Sequence, residues 1–184
     1  MKWLFRIIGL ILLAFIGLCA AGFFMPAKQA VERSIQIDAY PEDVFPYIND
    51  LRNYAQWSPL SDVIINAQTI YGGADQGVGQ SMAWQGGEGP FPYGSQEIIQ
   101  SQAASFVQIT VNLAGLNALS THALSMDDES EMVTVLTKSE IDLGGFPYLG
   151  RISGKLNQSD QEQHFDEALL RLKTIVETQT EADE

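Results

Sequence analysis

Val31-Glu32-Arg33-Ser34-Ile35-Gln36-Ile37-Asp38-Ala39-Tyr40-Pro41-Glu42-Asp43-Val44-Phe45 changes period halfway along. Up to Asp38 it alternates. Val31, Arg33, Ile35 and Ile37 share one parity and Ser34, Gln36 and Asp38 the other, the pattern of a strand with one covered face. From Pro41 the period becomes helical. Proline suits a first helical turn, and Glu42 and Asp43 suit the positive end of the helix dipole. Val44, Phe45, Tyr47, Ile48 and Leu51 then supply an apolar stripe. Pro46 has no N–H to donate and keeps this helix short. A second short helix is expected from Asn49, ending near Trp57-Ser58-Pro59.

Downstream the signals are those of strands. Val63–Tyr71 runs into a Gly72-Gly73 turn, and Gly79–Gln85 alternates with Met82 and Trp84 on one face. After a Gly86-Gly87-Glu88-Gly89-Pro90 loop come Tyr93–Ser101, Ser105–Leu113, Leu119–Met126 and Met132–Ser139, spaced as an antiparallel meander. Asp127-Asp128-Glu129 reads as a hairpin turn. The period then returns to helical: Phe165, Leu169, Leu172 and Val176, reinforced by Ala168 and Ile175, oppose Glu167, Arg171, Lys173 and Glu177. Ser159 and Glu162 fit a capping box, and Gly144–Leu156 holds an extra helical turn before it. Helices segregated from strands indicate an α+β fold. A curved sheet closed by one long helix can leave a cavity suited to an apolar ligand.

The 184 residues carry a net charge of −13, unevenly spread. Lys2 and Arg6 are the only charged residues before Pro26, so the rest of the chain stands at −15. Ile7–Met25 has no charged side chain, and its 19 residues would span about 28 Å as a helix, close to a bilayer core of about 30 Å. Cys19-Ala20-Ala21 resembles a signal cleavage site, but the apolar run continues to Met25 and outlasts an ordinary signal h-region. Leu18 is too large for a lipoprotein signal. The run is therefore expected to be an uncleaved transmembrane anchor with a cytoplasmic N-terminus, set by Lys2 and Arg6. That places the acidic domain outside the cytoplasm, in the periplasm of a bacterium. The organisation expected is an anchor over 1–25, a linker over 26–30, a folded domain over 31–178 and an acidic tail over 179–184.

Several chemistries are excluded. The acidic balance is wrong for nucleic acid, which needs clustered Lys and Arg. One cysteine precludes an intrachain disulfide or a multi-cysteine zinc site. Gly77-Val78-Gly79 lacks a third glycine and leads into a strand, so it is no dinucleotide fingerprint. His122 and His164 lie on different elements, and neither a metal site nor a cofactor is expected. His122 shares a strand face with Ser120, Leu124 and Met126. There it is a polar handle or proton donor, or simply a hydrogen-bonded or solvent-facing histidine. Trp57 and Trp84 frame a pocket mouth or plug the core. Phe91-Pro92-Tyr93 is a lid or a plain hairpin loop. The candidate ligand-binding residues are Trp57, Met82, Trp84, Tyr93, His122 and Leu124, with no catalytic set.

The opening run, with Asn49-Asp50-Leu51-Arg52 and Trp57-Ser58-Pro59, resembles the start of START-like, polyketide cyclase/dehydrase-type domains of the SRPBCC superfamily. Gly77-Val78-Gly79, Trp84-Gln85-Gly86 and Phe165–Lys173 resemble its later pattern, so the likeness covers nearly all of Val31–Glu177. Leu60 stands where many relatives carry a second tryptophan. The resemblance implies a helix-grip fold, a curved antiparallel sheet around a long C-terminal helix. It also implies a cavity for a lipid, quinone or polyketide-like molecule. It carries no shared catalytic residues. The leading expectation is a membrane-anchored domain that binds a hydrophobic small molecule. A cyclase- or hydrolase-type enzyme in the same cavity and an envelope protein-interaction module are the alternatives.

Overall fold

A computed structural model describes residues 2–87, 91–127, 132–145 and 147–183. In chain order the elements are α1 (Lys2–Phe23), β1 (Lys28–Ile37), α2 (Pro41–Asn49), α3 (Leu51–Trp57), α4 (Ser61–Ile64), β2 (Gln68–Gly73), β3 (Gln80–Gln85), β4 (Tyr93–Gln102), β5 (Phe106–Leu113), β6 (Leu116–Asp127), β7 (Met132–Asp142), α5 (Leu149–Leu156) and α6 (Gln158–Asp183). The seven strands form one antiparallel sheet in the order β1-β7-β6-β5-β4-β3-β2. Strands β2 to β7 are a meander. The β1 strand joins its far edge by pairing with β7, so α2 to α4 must carry the chain across the sheet. Register shifts between Ile98 and Gln100, a bulge that bends β4 and deepens the sheet's twist. This is the α+β helix-grip expected.

The core lies between one sheet face and the helices. Ile37, Val107, Ile109, Val133 and Val135 meet Leu51, Trp57, Leu169 and Leu172, all of them buried. The links from α2 to the sheet are polar. Asp50 caps α3 by accepting from the Arg52 N–H at 2.9 Å. The Gln80 amide accepts from Leu51 N–H at 2.7 Å and donates to Asp50 Oδ1 at 2.7 Å and to the Asp75 carbonyl at 2.8 Å. Arg171 donates to the carbonyls of Trp57 and Ser58, both at 3.3 Å, and so ties α6 to the end of α3. The Asn-Asp-Leu-Arg and Trp-Ser-Pro motifs thus sit at the joints that hold the short helices against the sheet.

Several boundaries differ from expectation. Strand pairing begins at Lys28, inside the stretch read as linker, because Lys28 to Ala30 pair with β7 without any apolar alternation of their own. Val63 and Ile64 belong to the turn of α4, and β2 starts only at Gln68. Ser159 lies within α6, so it makes no capping box; Glu162 instead accepts from Arg33 and Gln158. The helix runs on to Asp183 through the residues read as a tail. Glu88 to Pro90 of the expected loop, Asp128 and Glu129 of the expected turn, and Glu184 lie outside the described residues.

Candidate functional site

Strand alternation sends every second side chain to the helix-covered face, and the register sorts these side chains into cross-strand rows. One row runs Arg33, Thr137, His122, Val107. The next runs Val31, Ser139, Ser120, Ile109, Ile98. A third runs Gln29, Ile141, Ala118, Val111, Gln96, Met82, and beyond it lie Leu116, Leu113 and Gly94.

The His122 row is sealed. The Tyr54 ring lies 5.2 Å and the Trp57 ring 5.6 Å from the imidazole, both edge to face. Trp57 and His122 are both 0% exposed, so no space that a water could enter touches either. Trp57 Nε1 donates to the Tyr47 carbonyl at 2.9 Å, which fixes the indole as a plug. His122 Nδ1 is 3.0 Å from Thr137 Oγ1, and among the described residues its Nε2 has no hydrogen-bond partner. Burial pushes its pKa down to about 3. The imidazole is therefore neutral at physiological pH and is no proton shuttle there. Burial also raises the Tyr54 phenol, which is hydrogen-bonded to Ser120.

The third row opens only at Ile141 and Ala118, and the one beyond it at Leu113 and Leu116. Ile141, Ala118, Leu113 and Leu116 are all partly exposed on the same face, although Val111, Gln96 and Met82 beside them are buried. The floor there is apolar, and polar groups border it: Ser120 and Ser139, 3.4 Å apart, and Gln96, whose Oε1 is buried without a partner among the described residues. A cleft of about 420 Å³ at this end of β3 to β5 belongs instead to the outer face and the sheet end, since Gln85, Tyr93, Ser95 and Asn112, which line it with Trp84 and Gly94, alternate with the inner-face residues. A second, of about 550 Å³, lies elsewhere, between α2 and the C-terminal half of α6, and is lined by polar residues such as Glu42, Asp43 and Gln179.

The candidate ligand-binding residues fall into three groups. Trp57, His122 and Leu124 are packed in the sealed part, where the expected cavity is filled by side chains. Met82 and Trp84 are buried on the same face at the edge of the open rows. The Trp84 indole lies over Gly94, where an added Cβ would come within 2.3 Å of Cζ2, and its Nε1 donates to the Phe91 carbonyl at 3.2 Å. Tyr93 is on the opposite face, 54% exposed, because Gly94 faces Trp84 and its neighbour must point the other way. Gln96, Ser139, Ala118 and Ile141 were not anticipated, and Ser120 was placed on the His122 face without being taken as a site residue. Their parity with Ile98, His122 and Thr137 was the available signal. His164 is exposed on α6, 4.0 Å from Glu167. Among the described residues no cluster of three or more His, Cys, Asp or Glu could hold a metal ion.

Seven antiparallel strands gripping a long C-terminal helix define the START-like, SRPBCC class of fold. The sequence profile described as polyketide cyclase / dehydrase and lipid transport matches residues 28–177, and the chain belongs to that family. No curated protein matches the chain. Among solved structures it is similar to DR_A0006 from Deinococcus radiodurans, at 11% identity and TM-score 0.55, over 82% of this chain and 98% of that one. It is also similar to the Aha1 dimer from Colwellia psychrerythraea, at 13% identity and TM-score 0.53, over 81% and 96%. DynU16, a protein of the dynemicin biosynthetic locus, matches at 14% identity and TM-score 0.55, over 81% of this chain; the chain spans 47% of DynU16. At such identities the likeness is one of fold.

Proposed function

We propose that the protein is a bilayer-anchored domain that binds an amphipathic small molecule on the open rows of the inner sheet face. The apolar part of the ligand lies on Val111, Leu113, Ala118 and Ile141, and its polar part meets Gln96, Ser120 and Ser139. The observation that carries this reading is where the sheet face opens. Ile141 is partly exposed in its row, beside Gln29, whose amide is buried against α5, and both belong to the end of the sheet where α1 leaves the domain. Among the described residues α1 is the one helix long and apolar enough to cross a membrane, and nearly all of it is exposed. A site facing a bilayer suits molecules that partition into bilayers. Lys2 and Arg6 favour a cytoplasmic N-terminus and so an extracytoplasmic domain.

Native mass spectrometry of the detergent-purified full chain tests the binding. A co-purifying amphiphile is expected, and Ala118→Trp, which fills the floor of the open rows, is expected to remove it without unfolding the domain. If the wild-type protein carries no such species, or the variant carries it equally, the reading is wrong. Carbonate extraction tests the anchor separately, since a spanning chain stays with the membrane pellet.

A further inference from the structure

A short helix on a domain surface normally turns its apolar stripe inward. The α5 helix does the reverse. Gly154 is buried against Gln29 Oε1 and Leu143, and a Cβ on Gly150 would come within 2.7 Å of the Leu143 carbonyl oxygen. The side that carries Gly154 is therefore the packed face, with Gly150 at its exposed end. At 100° per residue Leu149, Ile152 and Leu156 lie together on the opposite side. Leu156 is 75% exposed, Leu149 is exposed as well, and Ile152 is partly exposed.

This outward stripe is fastened to the end of α1. Gly22 is buried under Tyr148, with no room for a Cβ, and the Phe23 ring packs edge-on against the Tyr148 ring at 5.7 Å. Arg151 donates to the carbonyls of Phe23 at 3.5 Å and Met25 at 3.2 Å, and its guanidinium sits 4.7 Å above the Tyr148 ring. A cation on the last carbonyls of α1 satisfies acceptors that the helix itself cannot, and it matches the dipole. Beside this clamp Phe24 is 85% exposed and Lys28 and Lys155 are exposed. Exposed aromatics, leucines and cations at the exit of an apolar span are the composition of a membrane interface.

We propose that α5 is an interfacial helix. Leu149, Ile152 and Leu156 enter the boundary between headgroups and acyl chains where α1 emerges, and Lys28 and Lys155 reach the phosphates. The inference rests on α1 spanning the bilayer. The stripe commits to lipid rather than protein because the end of the span holds it at the lipid surface. Docking there fixes the domain's tilt and holds the open rows of the sheet against the bilayer.

The test is collision-based depth measurement by electron spin resonance on the full chain. The protein is reconstituted in vesicles of equal parts phosphatidylcholine and phosphatidylglycerol, and Cys19→Ser leaves it without a native thiol. Spin labels are placed at Leu156→Cys, at Leu12→Cys within α1 and at Leu170→Cys, about 18 Å further along α6 from its start. The proposal expects the ratio of collisions with oxygen to collisions with an aqueous nickel chelate to exceed one at positions 12 and 156 and to fall below one at 170. A ratio at 156 matching that at 170, with 12 still in lipid, overturns the proposal and leaves the anchor standing. A label at 12 exposed to the nickel chelate overturns both. A label at 156 shielded from both reagents points to a protein cover and also overturns it.

Discussion

His122 makes the domain acid-sensitive in a way that can be isolated. Its folded pKa is about 3 against an ordinary 6.5, so between those values the unfolded chain binds a proton that the folded chain refuses. Stability contributed by the neutral, buried imidazole is complete above the unfolded pKa and is lost as pH falls below it. At about pH 5 the loss is about 2 kcal/mol, from about 1.4 kcal/mol per unit of pH below the unfolded pKa. For a domain of this size that lowers Tm by about 4–8 °C relative to neutral pH. Burial, with Tyr54 and Trp57 against the ring, is the cause, and among the described residues no charged group offsets it.

The assay is thermal unfolding of the detergent-solubilised full chain at several pH values, for wild type and His122→Asn. The variant is less stable throughout, but its Tm should lack the extra slope between about pH 6.5 and pH 5, where only a histidine of ordinary reference pKa titrates in the unfolded chain. Carboxylates bear on the curve at lower pH. Glu140, Glu162 and Glu177 are held below the usual carboxylate range, Glu140 by Lys138, Glu162 by Gln158 and Arg33, and Glu177 by Asp38 N–H and Lys173. Their contribution is present above the unfolded carboxylate pKa and goes as pH falls through their lowered values. If His122→Asn shows the same slope as wild type, the reasoning about His122 is refuted.

Two further perturbations test the joints of the sheet. Gly94→Ala puts a Cβ 2.3 Å from Trp84 and 2.4 Å from the Asn112 carbonyl oxygen. It should destabilise by about 1–3 kcal/mol, as overpacking does, and should shift tryptophan emission because the Trp84 indole must move; an unchanged melt and spectrum would contradict the packing described. Gln80→Ala strips the Leu51 N–H and the Asp75 carbonyl of a buried partner. It should cost about 1–3 kcal/mol and speed hydrogen exchange at the Leu51 amide, whereas unaltered exchange would show that another group serves it.

Elements whose own side chains set their period were readable from sequence. The β1 alternation, the Met82/Trp84 strand and the Phe165–Val176 stripe each bury one face of one element, and each was found where its pattern placed it. Elements shaped by a neighbour were not. Lys28 to Ala30 are strand because β7 offers them partners, and Val63-Ile64 is helical although a short apolar run reads equally well as strand. The α5 helix was expected within Gly144–Leu156 despite its two glycines, poor helix formers; what could not be read was that they bring it close to Leu143 and Gln29. At the site, parity placed Trp84, Met82, His122 and Leu124 on one face and, applied to β4 from Ile98, would have put Tyr93 on the other. Parity says nothing of depth. That the inner face is buried beside His122 and partly exposed at Ala118 and Ile141 depends on the helices packed over it, which strand parity does not show.

The plug decides where a ligand can sit. Trp57 buries about 150–250 Å² of ring, worth roughly 4–6 kcal/mol at 25 cal/mol per Å². Lifting it to admit a ligand beside His122 would forfeit that, together with the Nε1 bond to Tyr47 and the Tyr54 and His122 ring contacts. A ligand on Ala118 and Ile141 displaces only water from side chains that are already partly exposed. The same burial energy then counts in favour of binding, at the cost of ordering one small molecule. On this argument the closed half of the grip supplies stability and the open half supplies the binding surface. Trp57→Ala is thus expected to lower stability by about 3–5 kcal/mol while leaving the occupancy of the open rows in the surviving folded fraction unchanged. Loss of the bound amphiphile from well-folded Trp57→Ala protein would place the ligand beside His122 instead.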